Sequence, residues 1–191
     1  MNSELAGVSE IVSFLSEIGW ACNKDEVGDQ YCLMEMGGRQ IQLIPLLQRR
    51  PDHYRFSLAP SISCSAFSKA AAEISGDLSD FEPIVQGDRS IMKLRRLSRS
   101  ELREMVAGVL SWASVADVDG GLAGYRNLPT NAKGGMPIRH LAALAIAGDV
   151  PRLQEYERCF GQGNRLGFVP YVSLDMIRRA VAIAAKRGEG E

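Results

Sequence analysis

The sequence predicts an α+β fold: an antiparallel sheet flanked by helices, followed by a helical C-terminal extension. Three observations predict it. Apolar spacing switches from three-and-four to two after Gly19. The pair Gly37-Gly38 stands between two alternating runs, as in a tight hairpin. Beyond Pro137, apolar stripes at helical spacing alternate with capping residues.

Taken in order, Leu5, Val8, Ile11, Val12, Leu15 and Ile18 mark an amphipathic helix over 3–18, stopped by Gly19. Residues 20–24 supply a first short strand. Tyr31, Leu33 and Glu35 alternate with Cys32, Met34 and Met36 up to the glycine pair, and Gln40–Leu43 alternates until Pro45. A further strand covers His53–Leu58, giving a meander with one wet face. Phe67, Ala70, Ala71 and Ile74 mark a helix over 65–75. Segments 81–85 and 90–94 flank Gln86-Gly87-Asp88-Arg89 and read as a second hairpin. Ser98 and Glu101 have the spacing of a capping box and open a long helix carrying Leu102, Met105, Val106, Val109, Trp112, Ala113 and Ala116.

The glycines between 118 and 135 read as an irregular connection. Helices then follow from Pro137 to Ala147, from Asp149 to Phe160 and from Ser173 to Gly188. The expected organisation is a sheet-and-helix region at 1–117, a Gly-rich connection at 118–135, and a helical region at 136–191 packed on the first.

Composition narrows the function classes. The 191 residues are 46% hydrophobic and 24% charged, with a net charge of -1. Such usage excludes a disordered chain, a collagen and a supercharged nucleic-acid binder. No apolar run approaches the roughly 18 residues of a membrane span. Met1-Asn2-Ser3-Glu4 lacks the features of a secretory signal, so a cytoplasmic location is expected. Cys22, Cys32, Cys64 and Cys159 show no C-x-x-C spacing and are expected as reduced thiols. Residues 1–92 carry net -6 and residues 93–191 net +5. The expected reading is attraction between the two halves, or between two subunits, which allows a symmetric homodimer.

Reactive constellations are sparse. His53 falls on the wet face of a strand, and His140 in the first turn of a helix. No serine sits in a G-x-S-x-G elbow. No cysteine–histidine set has zinc spacing, and no metal or other cofactor is expected. Asp117-Val118-Asp119-Gly120-Gly121 starts like a calcium loop, but the twelfth position is Leu128 and not the required glutamate; it reads as an acidic helix end with a glycine stop. Lys133, Gly134 and Gly135, with Arg139 and His140, form the nearest approach to an anion cradle. Lys93, Arg95, Arg96, Arg99 and Arg103 form the strongest cationic cluster. No aromatic residue lies between Phe81 and Trp112, so nucleic acid is not the expected partner.

The order helix, meander, helix, two strands and helix resembles that of type III secretion chaperones. These are small, usually acidic bacterial proteins that dimerise and hold an extended partner segment against a sheet and its helices. The chain is near neutral and adds a helical extension. Within that extension, Ile138–Ala145 followed by Gly148-Asp149-Val150 and Leu153 resembles the helix pair of one ankyrin repeat. Continuing through Arg165–Tyr171, the stretch is also similar to the C-terminal region of uncharacterised bacterial proteins. These resemblances imply a non-catalytic cytoplasmic protein that binds another protein, either a secreted effector or a toxin. Ile41, Leu43, Trp112 and the basic residues Lys93, Arg95, Arg96, Arg99 and Arg103 are expected to form or flank the contact surface. One alternative is a toxin-neutralising immunity protein. Another is an enzyme or small-molecule sensor using the Gly-rich loop at 120–135.

Overall fold

The computed structural model describes residues 5–188, apart from 78 and 80. Its elements run α1 (Val8–Glu17), β1 (Ala21–Lys24), β2 (Gln30–Met36), β3 (Arg39–Arg49), β4 (Tyr54–Ser63), α2 (Ser65–Ser75), β5 (Val85–Gln86), β6 (Met92–Leu94), α3 (Arg99–Val115), α4 (Val118–Arg126), α5 (Met136–Ile146), α6 (Val150–Gly161) and α7 (Leu174–Gly188). The class is α+β, as expected.

The chain forms two compact units. One comprises the residues up to Ile62 together with Val85–Ala116; the other comprises Ser63–Ile84 and the chain from Asp117 onward. One junction falls beside residue 117, the expected boundary, while Ser63–Ile84 groups with the C-terminal helices. The helix α2 belongs with the C-terminal helices because its buried stripe of Phe67, Ala70, Ala71 and Ile74 serves the contact with α5 and α7. The charge asymmetry of the two sequence halves therefore does not map onto two bodies, because each unit draws on both halves.

In the first unit, the sheet runs β1-β2-β3-β4, with β5 and β6 both on the outer side of β4. Gly37 and Gly38 take φ of 58° and 77° and close the β2–β3 hairpin in the left-handed conformation that its turn needs. Pro45 does not end β3, because the paired register with β2 stops at Leu43, and the missing N–H costs that ladder nothing. The expected hairpin around Gln86–Arg89 is absent. Gly87 instead continues the ladder by donating to the carbonyl of Pro60 (2.9 Å), so β5 and β6 are two ends of one edge strand interrupted between them. Cys22 and Cys32 stand opposite each other in the β1–β2 register and form a disulfide. That corrects the expectation of four thiols; Cys64 and Cys159 remain free.

The helix α1 buries Ile11, Phe14 and Leu15 and packs against β1, β2 and β3. Helix α3 joins it through a two-oxygen ion pair, Arg99 donating to Glu17 at 2.7 and 2.8 Å. Ser98 and Glu101 form the expected capping box: the Ser98 N–H donates to the carboxylate at 2.8 Å, and the Glu101 N–H to the hydroxyl at 3.3 Å. At the other end of α3, Arg39 donates to the carbonyls of Ala113 and Ala116, two of the orphan acceptors that a helix end leaves open.

In the second unit, α5 is the central helix. Leu141 to Ala145 are all fully buried, and α5 touches α2, α4, α6 and α7. The small alanines allow that close approach. Residues 118–126, expected as part of a connection, form α4, with Asp117 as its cap accepting from the Gly120 N–H at 2.8 Å. Among the described residues, no helix is long and apolar enough to cross a membrane.

Candidate functional site

The structure separates the residues expected at a contact surface. Ile41 and Leu43 are 0% exposed. They lie on the same sheet face as their cross-strand neighbours Met34 and Cys32 and belong to the core, which removes them from any surface. Arg99 and Arg103 are committed to packing: their guanidinium groups lie 5.0 and 5.4 Å from the centre of the Phe14 ring. Lys93, Arg95 and Arg96 are exposed.

Strand alternation places Phe56, Leu58 and Pro60 on one face of β4, with Met92 on β6 beside Phe56. Helix α3 runs along this face. Its buried stripe is Leu102, Val106 and Ala113; a second stripe, Met105, Val109 and Trp112, is only half-buried. Between that second stripe and Leu58, Pro60 and Met92 lies an open groove of 360 Å³, with Asp88 and Ser90 at its rim. The interrupted edge strand makes this opening, since residues 88–91 have no ladder partner on β4. Gly87 sits against the groove: a Cβ there would fall 2.8 Å from Pro60 Cγ and 3.1 Å from the Trp112 ring. Half-buried Met and Trp side chains suit adaptable apolar recognition. The sequence carried one signal of this site, an α3 pattern with more apolar positions than a single packed stripe uses.

The alternative cluster at 133–140 does not converge. Lys133 is exposed, and the Gly134 carbonyl accepts from the Tyr171 hydroxyl at 2.6 Å. Arg139 is ion-paired with Glu82 and lies over the Tyr125 ring, so its charge is already met. Gly135 reaches a cavity of 170 Å³ whose lining includes Ser68, Ser75, Asp77 and Glu82, and those carboxylates repel an anion.

His140 is 0% exposed. Its Nδ1 lies 2.9 Å from the Tyr125 carbonyl, which can only accept, so Nδ1 carries the proton. Nε2 then accepts from the Tyr156 hydroxyl at 3.1 Å. That hydroxyl in turn accepts from Arg152 Nε at 2.8 Å, while Arg152 also donates to the Arg126 carbonyl at 3.0 Å. Burial above all, and then the Arg152 charge, hold the imidazole below its ordinary range. The network ties the carbonyl end of α4 to α5 and α6. It presents neither an acid nor a nucleophile to His140.

Elsewhere, His53 Nδ1 lies 2.7 Å from the Asp52 carboxylate in the β3–β4 turn. Burial, together with the Glu155 carboxylate 3.4 Å away, pushes the Cys159 thiol up, which disfavours the thiolate. Among the described residues, no group of three or more His, Cys, Asp or Glu side chains is placed to hold a metal ion.

A family model described as a family of unknown function (DUF6990) matches residues 8–185. Comparison with curated proteins and with solved structures gave no match.

Proposed function

We propose, from the premise that the chain belongs to this family of unknown function, DUF6990, that it works as a non-catalytic protein-binding module in the manner of a secretion chaperone. The observation that carries the reading is the groove beside α3, where Met92, Met105, Val109 and Trp112 line an open, largely apolar surface and are only half-buried. An apolar segment of a partner would complete the burial of those side chains. A groove of this size accepts two or three large side chains, each contributing about 1.5–3 kcal/mol on full burial.

The test is photo-crosslinking in the native host from a reactive residue placed at position 105, with Val109→Asp as the control that puts a charge in the groove. A single partner, crosslinked through one of its segments and lost in the control, supports the reading. Crosslinks to an extended segment of a secreted effector give the chaperone role; crosslinks to a toxin domain give an immunity role. Equal labelling of many proteins, unchanged by Val109→Asp, overturns both.

A further inference from the structure

The sheet of the first unit carries opposite charge at its two edges. The β1–β2 hairpin exposes Asp25, Glu26, Asp29 and Glu35 against Lys24 alone, and its tip also exposes Val27 (83%). Across the sheet, the β4–β6 edge carries Arg55, Arg89, Lys93, Arg95 and Arg96 against Asp52 and Asp88. Asp52 is hydrogen-bonded to His53, and Asp88 accepts from Ser90. Arg89, Lys93, Arg95 and Arg96 make no ion pair among the described residues.

Lys93 acts on the Asp52 carboxylate and Arg96 on that of Glu101, but two details show that this cationic edge remains short of counter-charge. Arg55 and Lys93 face each other directly in the β4–β6 register, a like-charge pair that costs stability. The Arg55 Nε is also buried without a hydrogen-bond partner, a group whose desolvation is uncompensated. The acidic edge of the same chain cannot supply the charge. β1 and β6 are four strand spacings apart in the sheet order, roughly 19 Å at about 4.8 Å per strand, against a screening length of about 8 Å.

We propose that the acidic β1–β2 hairpin of one copy docks on the basic β4–β6 edge of a second copy, with Val27 against Ile91. Ile91 is 55% exposed on that edge, so the contact joins an apolar pair to the complementary charges. It is heterologous, engaging different surfaces on the two copies, and each copy keeps one surface of each kind for ring closure or further growth. It does not use Met105, Val109 or Trp112, and it borders the groove at Asp88, Ser90 and Met92.

Light scattering on the purified full chain across a concentration series tests it. At about 20 mM salt the mass is expected to rise above 20.8 kDa with concentration, and to return to that value at about 0.5 M salt. Glu26→Lys/Asp29→Lys reverses the hairpin while leaving Asp25, whose carboxylate closes the tip by accepting from the Val27 and Asp29 N–H groups (3.0 and 2.8 Å). Lys93→Glu/Arg95→Glu takes the edge from net +3 to net -1. Each double variant alone is expected to associate at least roughly tenfold more weakly. A one-to-one mixture of the two regains association, because the reversed hairpin meets the reversed edge. A wild-type mass fixed at 20.8 kDa at low salt overturns the proposal, as does association that survives both reversals or a mixture that stays monomeric.

Discussion

Removing the imidazole of His140 would strand the Tyr125 carbonyl and the Tyr156 hydroxyl proton, both of which it now satisfies. With the cavity added, His140→Ala is expected to cost about 3 kcal/mol in urea unfolding; a loss below about 1 kcal/mol would show that the network does not hold the helices. The same residue sets a pH dependence. Its folded-state pKa lies below the ordinary 6.5, so the unfolded chain takes up a proton that the folded chain resists. Stability should therefore fall as pH drops below about 6.5 and be flat just above it. Asp52, Glu101 and Glu155 are held below their ordinary 3.8 and 4.5, so their contribution is lost only in more acid solution. Unfolding at pH 7.5 and 5.5 should show the loss in the wild type and not in His140→Ala. The sequence placed His140 in the first turn of a helix, whereas α5 begins at Met136 and His140 is its fifth residue. Its partners were illegible there, because Tyr125 and Tyr156 reach it only once three helices have packed.

Local signals decided the elements wherever chemistry and spacing coincide within a few residues. The Gly37-Gly38 turn and the Ser98 capping box are legible for that reason, and Ser98→Ala is expected to cost about 1 kcal/mol by thermal or urea unfolding. The failures lie where distant contacts overrule local preference. Three glycines in α4 argue against a helix, at about 1 kcal/mol each relative to alanine, yet the helix forms. Its Tyr125 stacks on Phe67 and donates to the Pro83 carbonyl at 2.9 Å, and the His140 and Arg152 bonds close its end. One of those glycines is also required: a Cβ at Gly120 would lie 2.2 Å from the Asp117 Oδ2. Gly120→Ala should therefore destabilise the chain despite its better helix propensity, because the capping carboxylate must move; a gain in stability would refute this. The groove was half legible for a similar reason. Trp112 stood out, but Ile41 and Leu43 carry the same apolar signature, and composition does not separate a core position from a lining one.

Across the whole molecule, the chain leaves the first unit after Ile62, returns at Val85 and leaves again after Ala116. A cut suggested by the sequence, after residue 117, would thus remove the partners of α2 and leave Phe67, Ala70, Ala71 and Ile74 uncovered. Fragment 1–117 is expected to bind a hydrophobic dye and aggregate, whereas a fragment that stays monomeric and dye-free would show that α2 does not need α5 and α7. The same interleaving governs the order of events at the ribosome. Helix α2 emerges long before the helices that cover it, and at roughly 5–20 residues per second the interval between Ser75 and Met136 lasts several seconds. Throughout that interval the apolar face of α2 lacks the helices that cover it, and the nascent chain is expected to engage the cell's holding factors.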